Sequence, residues 1–176
     1  DSMIGIGVDL RKRKQAQEAL TESERRYREL VQNANSAIIR WRCDGTIVFF
    51  NEYAQALFGY SAEEIIGKHV DILVPPQESN GEDLTGLVTD IVENPQNYTS
   101  NINENVCRDG RRLWIVWSNK AIFDRHGQVS EILAVGSDIS EQKRAKDALR
   151  ASENLYRRLL ALLPAAMYTC DADGVI

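Results

Sequence analysis

Shifted by 129 positions, this chain lies on top of itself. Asp9 falls on Asp138, Ala19-Leu20 on Ala148-Leu149, Ser23-Glu24 on Ser152-Glu153, Tyr27-Arg28 on Tyr156-Arg157, and Asp44-Gly45 on Asp173-Gly174. Residues 5–47 set against 134–176 without a gap share 15 identities in 43 pairs, where unrelated sequences share about two or three at average residue usage. A fixed-period repeat of this kind marks modules strung in series. The 176 residues are therefore expected to divide into five pieces. Residues 1–10 read as the last strand of a preceding module and 11–32 as a linker helix. Residues 33–139 form one complete module, 140–163 a second, coiled-coil-like linker helix, and 164–176 the start of a following module.

The linkers carry their own pattern. In the second, Ala145, Leu149, Ser152, Tyr156, Leu159 and Leu163 recur at alternating spacings of four and three, a seam with a 3.5-residue period. The first copy keeps the seam with Ala16, Leu20, Ser23, Tyr27, Leu30 and Ala34. Such a stripe suits an amphipathic helix packed on its own domain, or a short parallel coiled coil joining modules in a homodimer. In the second case Ala16, Leu20, Tyr27, Leu30, Leu149, Tyr156 and Leu159 are the expected contacts. Small Ala and Ser in the seam make a weak zipper, and a weak zipper is easier to switch. Asp138 precedes Glu141 by three residues, which predicts a capping box at the start of the second linker.

Charge and composition narrow the partners. A net charge of −5 argues against a nucleic-acid surface. No apolar run approaches the ~20 residues of a membrane helix, and no basic segment followed by an apolar one opens the chain, so a cytoplasmic location is expected. Cys43, Cys107 and Cys170 lie far apart with no CxxC pair, and the histidines are His69 and His126 alone. That spacing excludes most zinc modules and any disulfide framework, and predicts reduced thiols. There is no GxGxxG, metal cluster or nucleophile–base pair, so no enzyme is expected within this stretch.

Between Asn33 and Ile139 the elements read in order. Ala37–Trp41, a turn at Asp44-Gly45, and Thr46–Phe50 form a β-hairpin. Asn51 is a natural N-cap for a short helix that Gly59 ends, and Ser61-Ala62-Glu63-Glu64 is a capping box for a second, stopped at Gly67. Pro75-Pro76 opens a loop. Leu84, Leu87, Val88, Ile91 and Val92 then make one apolar stripe at helical spacing. Strands are expected at about 99–108, 111–123 and 129–137, the first two joined at Asp109-Gly110. The order β-β-α-α-α-β-β-β gives an α+β fold, a five-stranded antiparallel sheet with helices on one face, flanked by long linker helices.

At this point the residues resemble a PAS domain, the sensory-box module. The resemblance rests on Asp44-Gly45 with Phe50-Asn51, on Leu57-Phe58-Gly59-Tyr60-Ser61 with Glu64 and Gly67, on Arg108-Asp109-Gly110 ahead of a tryptophan strand, and on Gly136 with Asp138-Ile139 entering the linker. It covers residues 33–139 and implies a pocket between sheet and helices, with Val70 and Leu87 on its helical side. Photoactive flavin (LOV) members carry a cysteine in Gly-x-Asn-Cys-Arg. The similar stretch here is Gly67-Lys68-His69-Val70-Asp71, with Val70 where the thiol would be. Asn105 is similar to one flavin-gripping asparagine, but the partner position on the next strand is Ile115, which offers the ring no hydrogen bond. Haem-binding members place a histidine on the third helix, and none stands around Gly81–Val92. No cofactor is therefore assigned.

Strand alternation says which side chains meet a ligand. With Ile115 inward, Trp117, Asn119 and Ala121 are inward too, and Asn105 shares its face with Asn101, Asn103 and Cys107. One reading is a small polar or aromatic ligand held by Asn105 and Asn119 beside Trp117. The other is that these amides bond backbone or water, because buried amides are costly unless paired. Trp114 and Val116 then face outward to pack on a linker helix or on a second subunit, which makes the outer sheet face an expected interface, in the second case that of a homodimer. What the resemblance implies as a whole is a signal-transducing module of a multi-PAS bacterial sensor. It would bind a small ligand or partner and relay the signal through Gly136, Asp138 and the linker helix to a downstream output domain, a sensor histidine kinase of a two-component system. The alternatives are a diguanylate cyclase or phosphodiesterase output, or a ligand-free dimerisation spacer.

Overall fold

The structure, a computed structural model, describes residues 34–162 continuously and scattered positions between 14 and 32, which are helical. Of the first-linker seam, Ala16, Leu20 and Tyr27 lie outside the described residues, as do 1–10 and 164–176. Leu30 is described and is 74% exposed. The chain separates into two compact units, one ending at Asp138 and one beginning at Ile139.

In the first unit the elements are β1 (Ala37–Arg42), β2 (Ile47–Phe50), α1 (Glu52–Phe58), α2 (Ala62–Ile65), a 3-10 turn (Val70–Leu73), α3 (Leu87–Glu93), a second 3-10 turn (Pro95–Tyr98), β3 (Ser100–Val106), β4 (Arg112–Phe123) and β5 (Val129–Asp138). Local chemistry accounts for the boundaries. Asp44 accepts a hydrogen bond from the Thr46 amide in the first turn. Asn51 caps α1 by accepting from the Ala54 amide, and Gly59 closes it in the left-handed conformation at φ 77°, which favours glycine. Ser61 and Glu64 form the complete capping box at α2.

The apolar stripe after the loop behaves differently from its sequence pattern. Leu84 is buried, yet the helix starts only at Leu87. Asp83 takes the Thr85 amide on its own side chain, and such a local bond competes with helix propagation. Leu84 therefore packs from a turn.

Five strands form one antiparallel sheet in the order β2-β1-β5-β4-β3. Alternate residues Ala37, Ile39 and Trp41 of β1, Leu113, Ile115 and Trp117 of β4, and Ile132 and Ala134 of β5 share one buried cluster with Ala54, Phe58, Ile65, Val88 and Ile91 of the helices. The period of two places the odd positions of β4 inward, as expected.

The motifs that carry the family likeness meet one another. The Arg108 amide donates to the Phe58 carbonyl at 2.9 Å, and the Arg108 guanidinium grips Glu64 with two contacts of 2.7 and 2.9 Å. Phe58 is fully buried, tilted on Phe50 at 5.9 Å and stacked parallel to Trp117 at 6.5 Å.

The second unit contains α4 (Ser140–Leu162), about 35 Å long at 1.5 Å per residue. It begins one residue later than an Asp138–Glu141 capping box would set it. Asp138 is still held in the ladder opposite Ile115, so extended geometry persists through it and the Lys143 amide bonds the Ile139 carbonyl. Leu149, Tyr156 and Leu159 are 62%, 67% and 51% exposed, and Leu155 and Leu160 add to the same apolar population. No helix among the described residues is long and apolar enough to cross a membrane.

Candidate functional site: a cavity walled by asparagines

β3 presents Asn101, Asn103 and Asn105 on one face because they stand two residues apart, and it pairs them opposite Trp117, Ile115 and Leu113 of β4. The resulting row of amides is continuous. Asn119 Nδ2 donates to Asn101 Oδ1 at 2.7 Å, Asn101 Nδ2 to Asn103 Oδ1 at 2.8 Å, and Asn103 Nδ2 to Asn105 Oδ1 at 3.3 Å. Trp117 Nε1 reaches the same Asn105 oxygen at 3.0 Å. Both ends are tied to backbone: Asn119 Nδ2 donates to the Tyr98 carbonyl, and Asn105 Nδ2 to the Leu73 carbonyl. Among the described residues no buried side-chain nitrogen or oxygen lacks a partner.

These amides and Trp117 form one wall of a cavity whose opposite wall is Val70 and Leu73 from the 3-10 turn, Val74 just after it, and Leu87, Val88 and Ile91 from α3. Ile39, Trp41 and Ala134 complete the lining. About 40 Å³ is open to the centres of waters, room for a few of them at roughly 10–15 Å³ each. Of the residues expected to meet a ligand, Asn105, Trp117, Asn119, Val70 and Leu87 are thus brought together. Ile115 is not among them. It faces inward as its phase requires, but at 0% exposure core neighbours cover it completely, so it backs the wall instead of lining it. Sequence reasoning placed Asn101 and Asn103 on this face without giving them a role. Their spacing with Asn105, three amides on one face of one strand, was the available signal.

The cavity adjoins an open cleft that shares Leu87, Asn101 and Asn103 with it and is rimmed by Glu82, Asp83, Asp90 and Tyr98. The Tyr98 hydroxyl donates to Asp90, which holds the Asp90 carboxyl below and the Tyr98 phenol above their ordinary ranges.

Next to the cavity a second network fastens the loop before α3 to the sheet. Buried Glu104 accepts from the Ser79 amide at 2.8 Å and from Arg112 Nη1 at 2.7 Å, while buried Glu78 accepts from the Glu104 amide at 3.0 Å. Burial pushes the Glu104 carboxyl up, but the bonds from Ser79 and Arg112 outweigh it and the pKa is lowered. Cys107 faces inward behind Asn105 and donates to the Leu57 carbonyl; burial raises its thiol pKa. His69 caps the first 3-10 turn, its Nδ1 accepting from the Asp71 amide.

The expected relay residues stand at the other side of Trp117. Gly136 is its register partner on β5, and a Cβ on Gly136 would lie 2.5 Å from the indole ring. The indole therefore rests on bare backbone. Asp138, exposed at the end of β5, is two residues further along the same strand.

Comparison with known proteins accords with this architecture. A two-component sensor of Pseudomonas aeruginosa, PprA, is 28% identical over 148 residues, covering 83% of this chain and 16% of the relative. The sensor histidine kinase TmoS of Ectopseudomonas mendocina is 24% identical over 131 residues, 74% of this chain and 13% of that protein. The chain thus spans about a sixth or less of the length of these relatives. The crystal structure of a PAS domain from Colwellia psychrerythraea superposes with a TM-score of 0.56 at 22% identity, covering 66% of this chain and 97% of that one, a likeness of fold. The profile of the PAS fold matches residues 25–139, and with it the chain is shown to belong to the PAS family of sensory modules.

Proposed function

We propose that this chain is a signal-sensing and dimerising PAS module within a multi-PAS cytoplasmic sensor whose downstream output domain is a histidine kinase. The observation that carries the proposal is the double engagement of Trp117. Its Nε1 bonds the Asn105 amide in the cavity wall, and its ring rests on Gly136 of the exit strand. A ligand that changes the amide row moves the indole, and the indole bears on β5 two residues before Asp138. From there the signal passes to α4, whose exposed Leu149, Tyr156 and Leu159 form the homodimer seam together with the outer sheet face. The names of the two-component relatives support a kinase output.

Output from the intact sensor tests the relay. Asp138→Ala, at an exposed position, is expected to alter autophosphorylation while lowering domain stability by no more than about 1 kcal/mol. Unchanged output in a folded variant sinks the relay. A second reading, a ligand-free spacer that sets dimer geometry, is favoured by the closure of the amide row on itself and on backbone. Mass spectrometry of supernatant from the denatured, freshly purified protein separates the two. A stoichiometric small organic mass supports sensing, and its absence together with an unshifted melt across a metabolite panel supports the spacer.

A further inference from the structure

Resting on the reading of the cavity as a ligand site, we infer that it selects an uncharged ligand with an amide-like edge and rejects ions of either sign. No Asp, Glu, Lys, Arg or His lines it. Four neutral amides line it, linked in a row with the indole N–H of Trp117, and the second indole in the lining, Trp41, is neutral as well. An ion entering would leave water without meeting an opposite charge, which costs several kcal/mol. The nearest buried carboxylates are already committed, Glu104 to Arg112 and Ser79, and Glu78 to the Glu104 amide and Asn80.

The adjoining cleft adds discrimination against anions, since it is rimmed by Glu82, Asp83 and Asp90. A cation gathered there still meets, beyond the shared Leu87, Asn101 and Asn103, a lining that offers it no carboxylate. Amide edges carry donor and acceptor side by side without net charge. A ligand bearing the same pair therefore exchanges hydrogen bonds with the row one for one, and its apolar part meets Val70, Val88 and Ile91 across the cavity.

Acetamide, acetate and acetamidinium have nearly the same shape and carry charges of zero, minus one and plus one at neutral pH. Each is titrated into the isotope-labelled 176-residue protein at constant ionic strength. The assigned indole N–H resonance of Trp117 is followed, with outward-facing Trp114 as internal reference. The expected result is a saturable shift of Trp117 with acetamide at a midpoint at least tenfold below that of either ion. An ion that moves Trp117 at an equal or lower concentration overturns the selectivity and leaves the cavity a ligand site. No shift with any of the three overturns the ligand-site reading itself, and this inference with it.

Discussion

Asn51 shows how much a single side chain is asked to do in this fold. It is fully buried, and its oxygen accepts from both the Ala54 amide at the start of α1 and the Ile38 amide of β1. Its nitrogen donates to the Val31 and Ser36 carbonyls. The sequence makes the first bond predictable, because an asparagine before an apolar helical run is a cap. The other three join segments 13 to 20 residues away, and no local pattern encodes them. Asn51→Ala is accordingly expected to cost about 3 kcal/mol, the cap plus stranded backbone groups. Ser61→Ala, a cap alone, is expected to cost about 1 kcal/mol. Urea unfolding of the two variants checks the difference, and equal losses would mean that the long-range bonds contribute nothing. Glu104 makes a pH-dependent counterpart. Its folded-state pKa is lowered, so its contribution is present above the ordinary glutamate pKa of ~4.3 and is lost as pH falls through the lower folded value. Glu104→Gln should destabilise by about 2 kcal/mol at neutral pH, with the gap to the unmodified protein closing in acid. A constant gap down to the acid limit contradicts the assignment.

Among the elements, strands were the more legible. The period of two along β3 and β4 fixed which faces turn inward, since a slip by one residue would have buried Lys120 and exposed Ile115. The asparagine row was legible for the same reason. What stayed hidden was depth: alternation gives the face of Ile115 but not that core side chains cover it, because depth depends on elements distant in sequence. The helix after the loop was overread, as a 3.6-residue stripe does not reveal that Asp83 will bind the Thr85 amide. The junction of β4 and β5 carries its own prediction. Gly136→Ala sets a methyl 2.5 Å from the rigid Trp117 ring, so it should cost about 1–3 kcal/mol, the range for overpacking. It should also shift Trp117 fluorescence, because the indole must leave either Gly136 or Asn105. A melt and emission spectrum indistinguishable from the parent would mean that the indole has free space to retreat into.

Over the whole molecule the repeat sets the expectations for assembly. The proposed seam of α4 would have Leu149, Tyr156 and Leu159 at its core positions, with the exposed Leu155 and Leu160 beside it. Flanking leucines broaden the stripe beyond a strict two-position seam. The combined Leu149→Asp and Tyr156→Asp variant is expected to weaken self-association at least tenfold by sedimentation equilibrium. A parent chain that is monomeric at high micromolar concentration would end the dimer proposal.

The strand order has a consequence for how the protein comes into being. β5, made last, lies between β1 and β4 in the sheet. While the chain is being synthesised, the β1–β2 and β3–β4 hairpins form from neighbouring residues, but the two halves have no common edge until Val129–Asp138 emerges. Closing the gap is a long-range event of the slow kind. For that interval β1 and β4 each present an open edge, the state most prone to pairing with the wrong strand. In the proposed tandem array the nearest wrong strand would belong to a sister module of similar sequence. The 23 residues of α4 follow β5 directly, so the strand that fills the central place is complete before any strand beyond that helix is made.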